Sequence, residues 1–355
     1  MDGLPVERLL TADRGDGGRR VDLVLRRHLT DAVGATRTRV QSWIAQGRVT
    51  INGATVRRVA TRTMIGDVVS INLPETAEPT VMGPENLPID VLYEDDDLLA
   101  LDKPAGIVVH PTYAHPAHTL MNALLWRSRD WPNGQRPSIV GRLDKQTSGL
   151  VLVAKSAAMH AALQRHLAAA SSEKNYLAVV YGRVPRQRGI IDLRLGRDVD
   201  DRRRVVASKD VGAECLTRFE RIATADMDGG ALSLLSCRLV TGRMHQIRVH
   251  LAASGWPIVG DRTYGEPRWN GVRAPGVAAR LEAFSRQALH AWRLSVMHPV
   301  SGRPLRIESP VPSDIRALLD ATFSAEELQT LAPSALDGES LAGQVETQAI
   351  APVAL

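Results

Sequence analysis

The sequence predicts an α+β protein: a mixed, largely antiparallel central sheet preceded by a small αα-β unit. Three observations carry this. Two short amphipathic helices stand near the front, and behind them strand-like segments follow one another in meander order. No regular βαβ repeat and no Gly-rich nucleotide fingerprint interrupts the strands, which argues against a doubly wound sheet. With 355 residues, 44% of them hydrophobic, the chain is long enough for one large body and one small one, each with its own core.

Residues 1–18 show no apolar period and read as an N-terminal tail. In VDLVLRRHLT (21–30), Val21, Val24, Leu25 and Leu29 lie at helical spacing, and in TRTRVQSWIAQ (36–46) so do Val40, Trp43 and Ile44. Gly47 stands where a helix C-terminus favours glycine. The opposite faces carry Arg26, Arg27, Arg37 and Arg39. RVTINGATV then reads as a hairpin turning at Asn52-Gly53, and Gly66-Asp67 turns the chain into a last strand, VVSINL. Residues 19–74 resemble the S4 RNA-binding domain, through the basic second helix, the run Gly47-Arg48-Val49-Thr50-Ile51-Asn52-Gly53 and the later Gly66-Asp67 turn. Where that family often has Ser before its Arg pair, this chain has Thr36 and Thr38. The resemblance implies RNA contacts at Arg37, Arg39 and Arg48; a helical hairpin with a solvated basic face is the plainer reading of the same residues.

Residues 75–88, rich in Pro and Glu, have a linker composition. A second domain is expected over 89–322. It opens with the strands VLYE and LLALD about an acidic turn at Asp95-Asp96-Asp97, then a Lys103-Pro104-Ala105-Gly106 turn and a strand-like IVVH. SGLVLVAKS, YLAVVYGRV, ALSLLSCRLV and PLRIESP continue as strands, while AAMHAALQRHLAAA and MHQIRVHLAAS read as helices. Residues 323–355 have no basic residue and read as an acidic, disordered or weakly helical tail.

The net charge of +5 hides a division. Residues 19–73 hold ten Arg against three Asp, and residues 103–322 hold 32 cations against 18 acids, whereas residues 74–102 hold nine acids and no cation. Two basic bodies flank an acidic joint, which points to a polyanionic partner. Only five of the 44 cations are Lys, so guanidinium groups, which grip phosphate in a bidentate way, dominate. Two cysteines, Cys215 and Cys237, are too few and too far apart for a disulfide scaffold, zinc ribbon or iron–sulfur site. With neither a secretory h-region nor a membrane-length apolar run, a cytoplasmic protein is expected.

Chemistry concentrates in IVGRLDKQTSGLVLVAKS (139–156), where Arg142, Asp144, Lys145, Thr147 and Ser148 crowd a non-periodic loop leading into an apolar strand. Asp144 could simply cap that loop through an Asx turn. GRLDKQTSGL, however, resembles the [His/Gly]-Arg-Leu-Asp-x-x-Thr-Ser-Gly-Leu motif of the RluA family of pseudouridine synthases. Four further stretches match that family in order: LDKPAGIVVHP, EKNYLAVVYG, LVTGRMHQIRVHLAASGWPIVGD and RQALHAWRLSVMHPVSG. With the S4-like unit in front, the resemblance is to the RluC/RluD-type enzymes of large-subunit rRNA.

The resemblance implies the pseudouridine synthase fold and a cofactor-free isomerisation, since uridine and pseudouridine have the same atoms. It assigns the reacting carboxylate to Asp144, as nucleophile or base, and the ring that packs on the target base to Tyr176. Arg142 matches the arginine that enters the space left by the flipped uridine, with Gly141 where many members have His. By analogy with TruB-type synthases, Arg248 is the ion-pair partner of Asp144, leaving Arg243, and with it Lys145, to meet the RNA backbone. The implied partner is large-subunit (23S-type) rRNA or a pre-ribosomal particle, with no metal and a monomeric state. A zinc site at His110, His115 and His118 fits no named metal motif, and His245 and His250 read as packing and hydrogen-bonding residues. A tRNA-directed synthase, a silent RNA-binding factor and a hydrolytic N-glycosidase are the alternatives. The last would want a second carboxylate to activate water.

Overall fold

The computed structural model describes residues 6–29, 37–73, 83–112, 115–169, 171–201, 204–265 and 271–329. The chain divides into two units, Met1–Gly83 and Pro84–Leu355. Thr36, most of the expected linker and the end of the expected tail lie outside the described residues.

The first unit contains β1 (Val6–Thr11), α1 (Val21–His28), α2 (Arg37–Ala45), β2 (Val49–Ile51), β3 (Ala54–Val56) and β4 (Val68–Leu73). The apolar spacing does what it predicts. Val21 and Leu25 of α1 and Val40, Trp43 and Ile44 of α2 bury against Val49, Val69 and Ile71 in one core. The four strands form an antiparallel sheet in the order β1-β4-β2-β3. The expected tail is therefore corrected. Residues 6–11 pair with β4 from Val6↔Leu73 to Thr11↔Val68, covering an edge that would otherwise present unpaired backbone groups. Asp16 is fully buried and accepts hydrogen bonds from Arg27 and His28 of α1, so this segment is bound into the unit. Adjacent Leu9 and Leu10 break the alternation that would have revealed the strand.

In the second unit, β5 (Asp90–Glu94), β6 (Leu98–Lys103), α3 (Leu120–Arg127), β7 (Ser138–Val140), β8 (Ser148–Ala154) and α4 (Ala157–Ala168) come first. They are followed by β9 (Glu173–Tyr181), β10 (Arg188–Asp192), β11 (Arg194–Arg197), β12 (Val205–Ser208), β13 (Leu216–Met227), β14 (Gly230–Leu239) and α5 (Gln246–Ala253). The chain closes with α6 (Pro275–Ala283), β15 (Leu289–Met297), β16 (Pro304–Glu308), α7 (Ser313–Thr322) and α8 (Ala325–Leu328). Ten strands make one sheet, β10-β13-β14-β9-β15-β8-β6-β5, with β16 beside β15 and β7 beside β8. Only β15 against β8 is parallel, so the mixed, largely antiparallel expectation holds. β11 and β12 form a separate ribbon.

The runs LLAL and LVLVA are almost continuously apolar because β6 and β8 bury both faces. Leu99, Leu101, Val151 and Val153 enter the main core. Leu98, Ala100, Leu152 and Ala154 meet Met159 and Leu163 of α4 in a second one. Ser156 starts α4 by accepting the Met159 amide, and Thr119 with Asn122 makes a capping box for α3.

Two expectations fail here. IVVH (107–110) is not a strand; Ile107 gives its carbonyl to Lys103 and Val109 packs into the core. The acidic tail starts later than residue 323, because Phe323 and Leu328 are buried and Ser324 and Glu327 cap α8. Pro84 onward likewise belongs to the second unit, with the Glu85 amide donating to the Asn122 carbonyl. No helix among the described residues is long and apolar enough to cross a membrane.

Candidate active site

β7 and β8 hold the loop 141–147 between them, and the three carbonyls from Asp144 to Gln146 each have a donor. Thr147 donates its amide to the Asp144 carbonyl, Gly106 and Lys103 donate to that of Lys145, and Arg286 donates to that of Gln146. Gln287 reaches the Thr147 hydroxyl at 3.2 Å. At the far end β8 crosses β15, and a side chain at Gly149 (φ +108°) would overlap the Ala291 carbonyl. A loop tied at so many points offers a fixed carboxylate.

That carboxylate, Asp144, accepts a hydrogen bond from Arg248 Nη1 at 2.9 Å. Arg248 comes from the first turn of α5, whose start is fixed by Gln246. The Gln246 carboxamide accepts from Thr241 and the Arg243 amide and donates to Leu216 and Thr217. The rest of the guanidinium is held by a residue sequence reasoning missed. Nε and Nη2 donate to the two oxygens of Asp261 at 2.7 and 2.8 Å. Asp261 is buried, and it also accepts the amides of Thr263 and Tyr264. Its place depends on Gly260 (φ +73°), where a side chain would overlap the Arg286 carbonyl. Burial alone would lower the Arg248 pKa; the hydrogen bonds and charge of Asp261, then of Asp144, reverse this and keep the cation charged.

Tyr176 on β9 is buried and lines the same cleft as Asp144, Arg142, Arg243, His245 and Arg248. Burial, then the Asp144 charge, pushes its phenol well above the ordinary range, so it stays protonated. Arg142 and Arg243 are exposed where they line the cleft, whereas exposed Lys145 does not line it and has its Nζ 3.4 Å from His115. Arg37 and Arg39 are exposed on α2 of the first unit, and half-buried Arg48 donates to Gln46 there.

His245 does more than pack. It sits in left-handed backbone (φ +56°), and its Nε2 faces Asp144 Oδ1 at 3.7 Å. Its Nδ1 lies 2.7 Å from the Tyr264 hydroxyl, which already accepts the Val205 amide. When the hydroxyl donates to Nδ1, the Nε2–H tautomer points at the carboxylate. Burial lowers the His245 pKa and favours this neutral form. His250 is buried against Thr217 and Leu193, as a packing histidine. Among the described residues, His110, His115 and His118 do not gather; the only groups of metal-ligand type are Asp13/Asp16/His28 and Asp95/Asp97/His298.

Lys103 is the other omission. Its fully buried ammonium donates to the carbonyls of Pro104, Ile107 and Lys145, bracing the Asp144 loop from below. Burial, then the Arg286 charge, lowers its pKa from 10.5 to about 8. Between those values the unfolded chain keeps a proton that the folded one has released, so stability rises with pH. Relative to Lys103→Met, the native protein is expected to gain on the order of 3 kcal/mol from pH 8 to 10.5 in urea titrations. A flat difference across that window would contradict the buried ammonium.

The chain as a whole is similar to known proteins. A family model described as RNA pseudouridylate synthase matches residues 97–253. The chain is similar to the ribosomal large subunit pseudouridine synthase D of Xanthomonas campestris pv. campestris, 39% identical over 312 residues covering 86% of this chain and 89% of that one. It is also similar to an uncharacterized RNA pseudouridine synthase, YlyB, of Bacillus subtilis, 37% identical over 288 residues with 80% and 89% covered. Among solved structures, the human RNA pseudouridylate synthase domain containing 1 superposes with a TM-score of 0.52 at 25% identity, covering 69% of this chain and 94% of that one. Identity of this extent over most of both chains, on a sheet of the same fold, places the protein in the RluA family of RNA pseudouridine synthases.

Proposed function

We propose that this pseudouridine synthase acts on large-subunit ribosomal RNA, with Asp144 as the reacting carboxylate. The observation that carries the second part is the sharing of Arg248 between Asp144 and Asp261. A carboxylate in a water-poor cleft needs a fixed counter-charge, and Asp261 holds that counter-charge whether or not Asp144 is engaged with substrate. In the reaction the bond from C1′ to N1 breaks, the base turns, and C1′ joins C5. The C5 proton leaves and N1 gains one, so atoms and electrons balance without a redox partner. Asp144 acts at C1′ as a nucleophile or at C2′ as a base giving a glycal; deuterium at C2′ slows only the second route. Tyr176 supplies a face for the base, Arg142 fills the stack it leaves, and Arg243 and Lys145 meet phosphates. The ribosomal substrate is supported by the names of similar proteins such as that of Xanthomonas campestris. Mapping pseudouridines by carbodiimide-dependent primer extension, in cells with and without the gene, tests it. Loss of a large-subunit rRNA pseudouridine is expected; loss confined to tRNA would refute the rRNA reading.

The first unit, with Arg37, Arg39 and Arg48, is proposed to act as an S4-type clamp on structured RNA. Removing Met1–Gly83 should weaken rRNA binding at least about 10-fold and make its dependence on salt shallower, as phosphate contacts are lost. Unchanged affinity and salt slope in filter-binding titrations would contradict this.

A further inference from the structure

Among the described residues, a half-buried cation near the cleft, Lys174, has no protein partner. Lys174 lies two residues before Tyr176 on β9, on the same face and about 6.6 Å along the strand. Its half-buried side chain has no hydrogen bond or ion pair among the described residues. The other cations withdrawn from solvent nearby behave otherwise, while exposed Arg142 is left to water. Arg248, Arg286 and Arg293 each pair with a carboxylate, and Lys103 has three carbonyls. Burial lowers the Lys174 pKa with nothing to offset it. A desolvated ammonium left unpaired is a cost the fold does not recover internally.

Its position says what would satisfy it. Lys174 lines a narrow pocket whose wall also includes Arg142, Leu143 and Tyr176, three residues that line the Asp144 cleft as well. Its ammonium lies beneath the start of the catalytic loop, 3.5 Å from where a side chain on Gly141 would begin. The glycine leaves that approach open. A nucleotide whose base lies on Tyr176 and whose ribose faces Asp144 brings its own phosphodiester within one nucleotide of this spot.

We propose that Lys174 is a substrate-positioning residue that binds a phosphodiester flanking the target uridine, through the opening beside Gly141. This rests on the synthase reading above. Three donors and a full charge suit a phosphate oxygen, and the ligand supplies the charge that the protein withholds. The ammonium also registers the strand, because the phosphate it holds and the base on Tyr176 belong to the same or adjacent nucleotides.

The test uses the full chain and an unmodified large-subunit rRNA transcript tritiated at uridine C5, with tritium release as the readout. Lys174→Met is expected to raise KM about 10-fold, with kcat falling by less, and to lower the salt slope by about one phosphate contact; Lys174→Arg should restore most of both. A merely structural lysine would not change the salt slope. A short RNA carrying the mapped uridine is then made with a neutral methylphosphonate on its 5′ or 3′ side. One of the two should cost the native enzyme about 10-fold and cost Lys174→Met nothing further. If the two losses multiply at both linkages, or if neither linkage matters to the native enzyme, the proposal is overturned. Should Lys174→Met not fold, Lys174→Gln carries the same comparison. If the native enzyme releases no tritium and forms no pseudouridine, the synthase reading is what fails; release with multiplying losses sinks only the role of Lys174.

Discussion

Replacing Asp144 with Asn or Ala is expected to abolish pseudouridine formation, by about 10⁴-fold or more, while the protein folds and still binds RNA. Both halves of this expectation follow from the geometry. The proposed reaction uses one carboxylate, and among the described residues no other acidic side chain lines the cleft. The fold survives because Arg248 keeps its two bonds to Asp261 when Asp144 is gone, so no buried charge is orphaned. The stability change should stay within about 1 kcal/mol. Urea denaturation and tritium release, measured on the same preparation, separate these effects. Residual activity above about 1% would move the chemistry to another group.

Arg248→Met should fail in a different way. It removes the cation from between two carboxylates, one of them buried with only backbone amides left as partners. Breaking a buried pair from one side costs about 3–5 kcal/mol, so this variant should unfold at markedly lower urea and be inactive. Adding Asp261→Leu removes the stranded charge and should return much of the stability. Activity should not return, because Asp144 still lacks its counter-charge. Full recovery of activity in the double variant would show that Arg248 serves only to neutralise Asp261.

These two outcomes also mark how far the sequence can be read. Asp144 and Arg248 were legible because each stands in a motif whose residue types suit the chemistry, and α1, α2 and the β6–β8 strands because apolar spacing reports burial directly. Asp261 was not, because a Gly-Asp pair reads as an ordinary turn until the fold brings it 2.7 Å from a guanidinium. Lys103 contradicts its type, a lysine buried completely, and only the three carbonyls around it explain why. His245 was read as a packing and hydrogen-bonding residue, but nothing in TGRMHQIRVH announces its left-handed backbone or its tyrosine partner 19 positions on. β1 escaped because its pairing with β4, from Val6↔Leu73 to Thr11↔Val68, joins segments 57 to 67 residues apart and leaves no local trace.

The parallel contact of β15 with β8 sets the order in which the enzyme can come into being. It rests on His290↔Ser148 and Ala291↔Gly149, and it is the seam between the strands that carry Asp144 and those that carry Tyr176. A ribosome has already made Asp144, Tyr176, Arg248 and Asp261 some thirty residues before it makes Leu289–Met297. Until that strand emerges and is inserted between β8 and β9, the nascent chain holds the residues proposed for the site but lacks the strand that joins their parts of the sheet. Synthesis of the parts and birth of the catalyst are thus separate events, and the last large strand of the sheet governs the second.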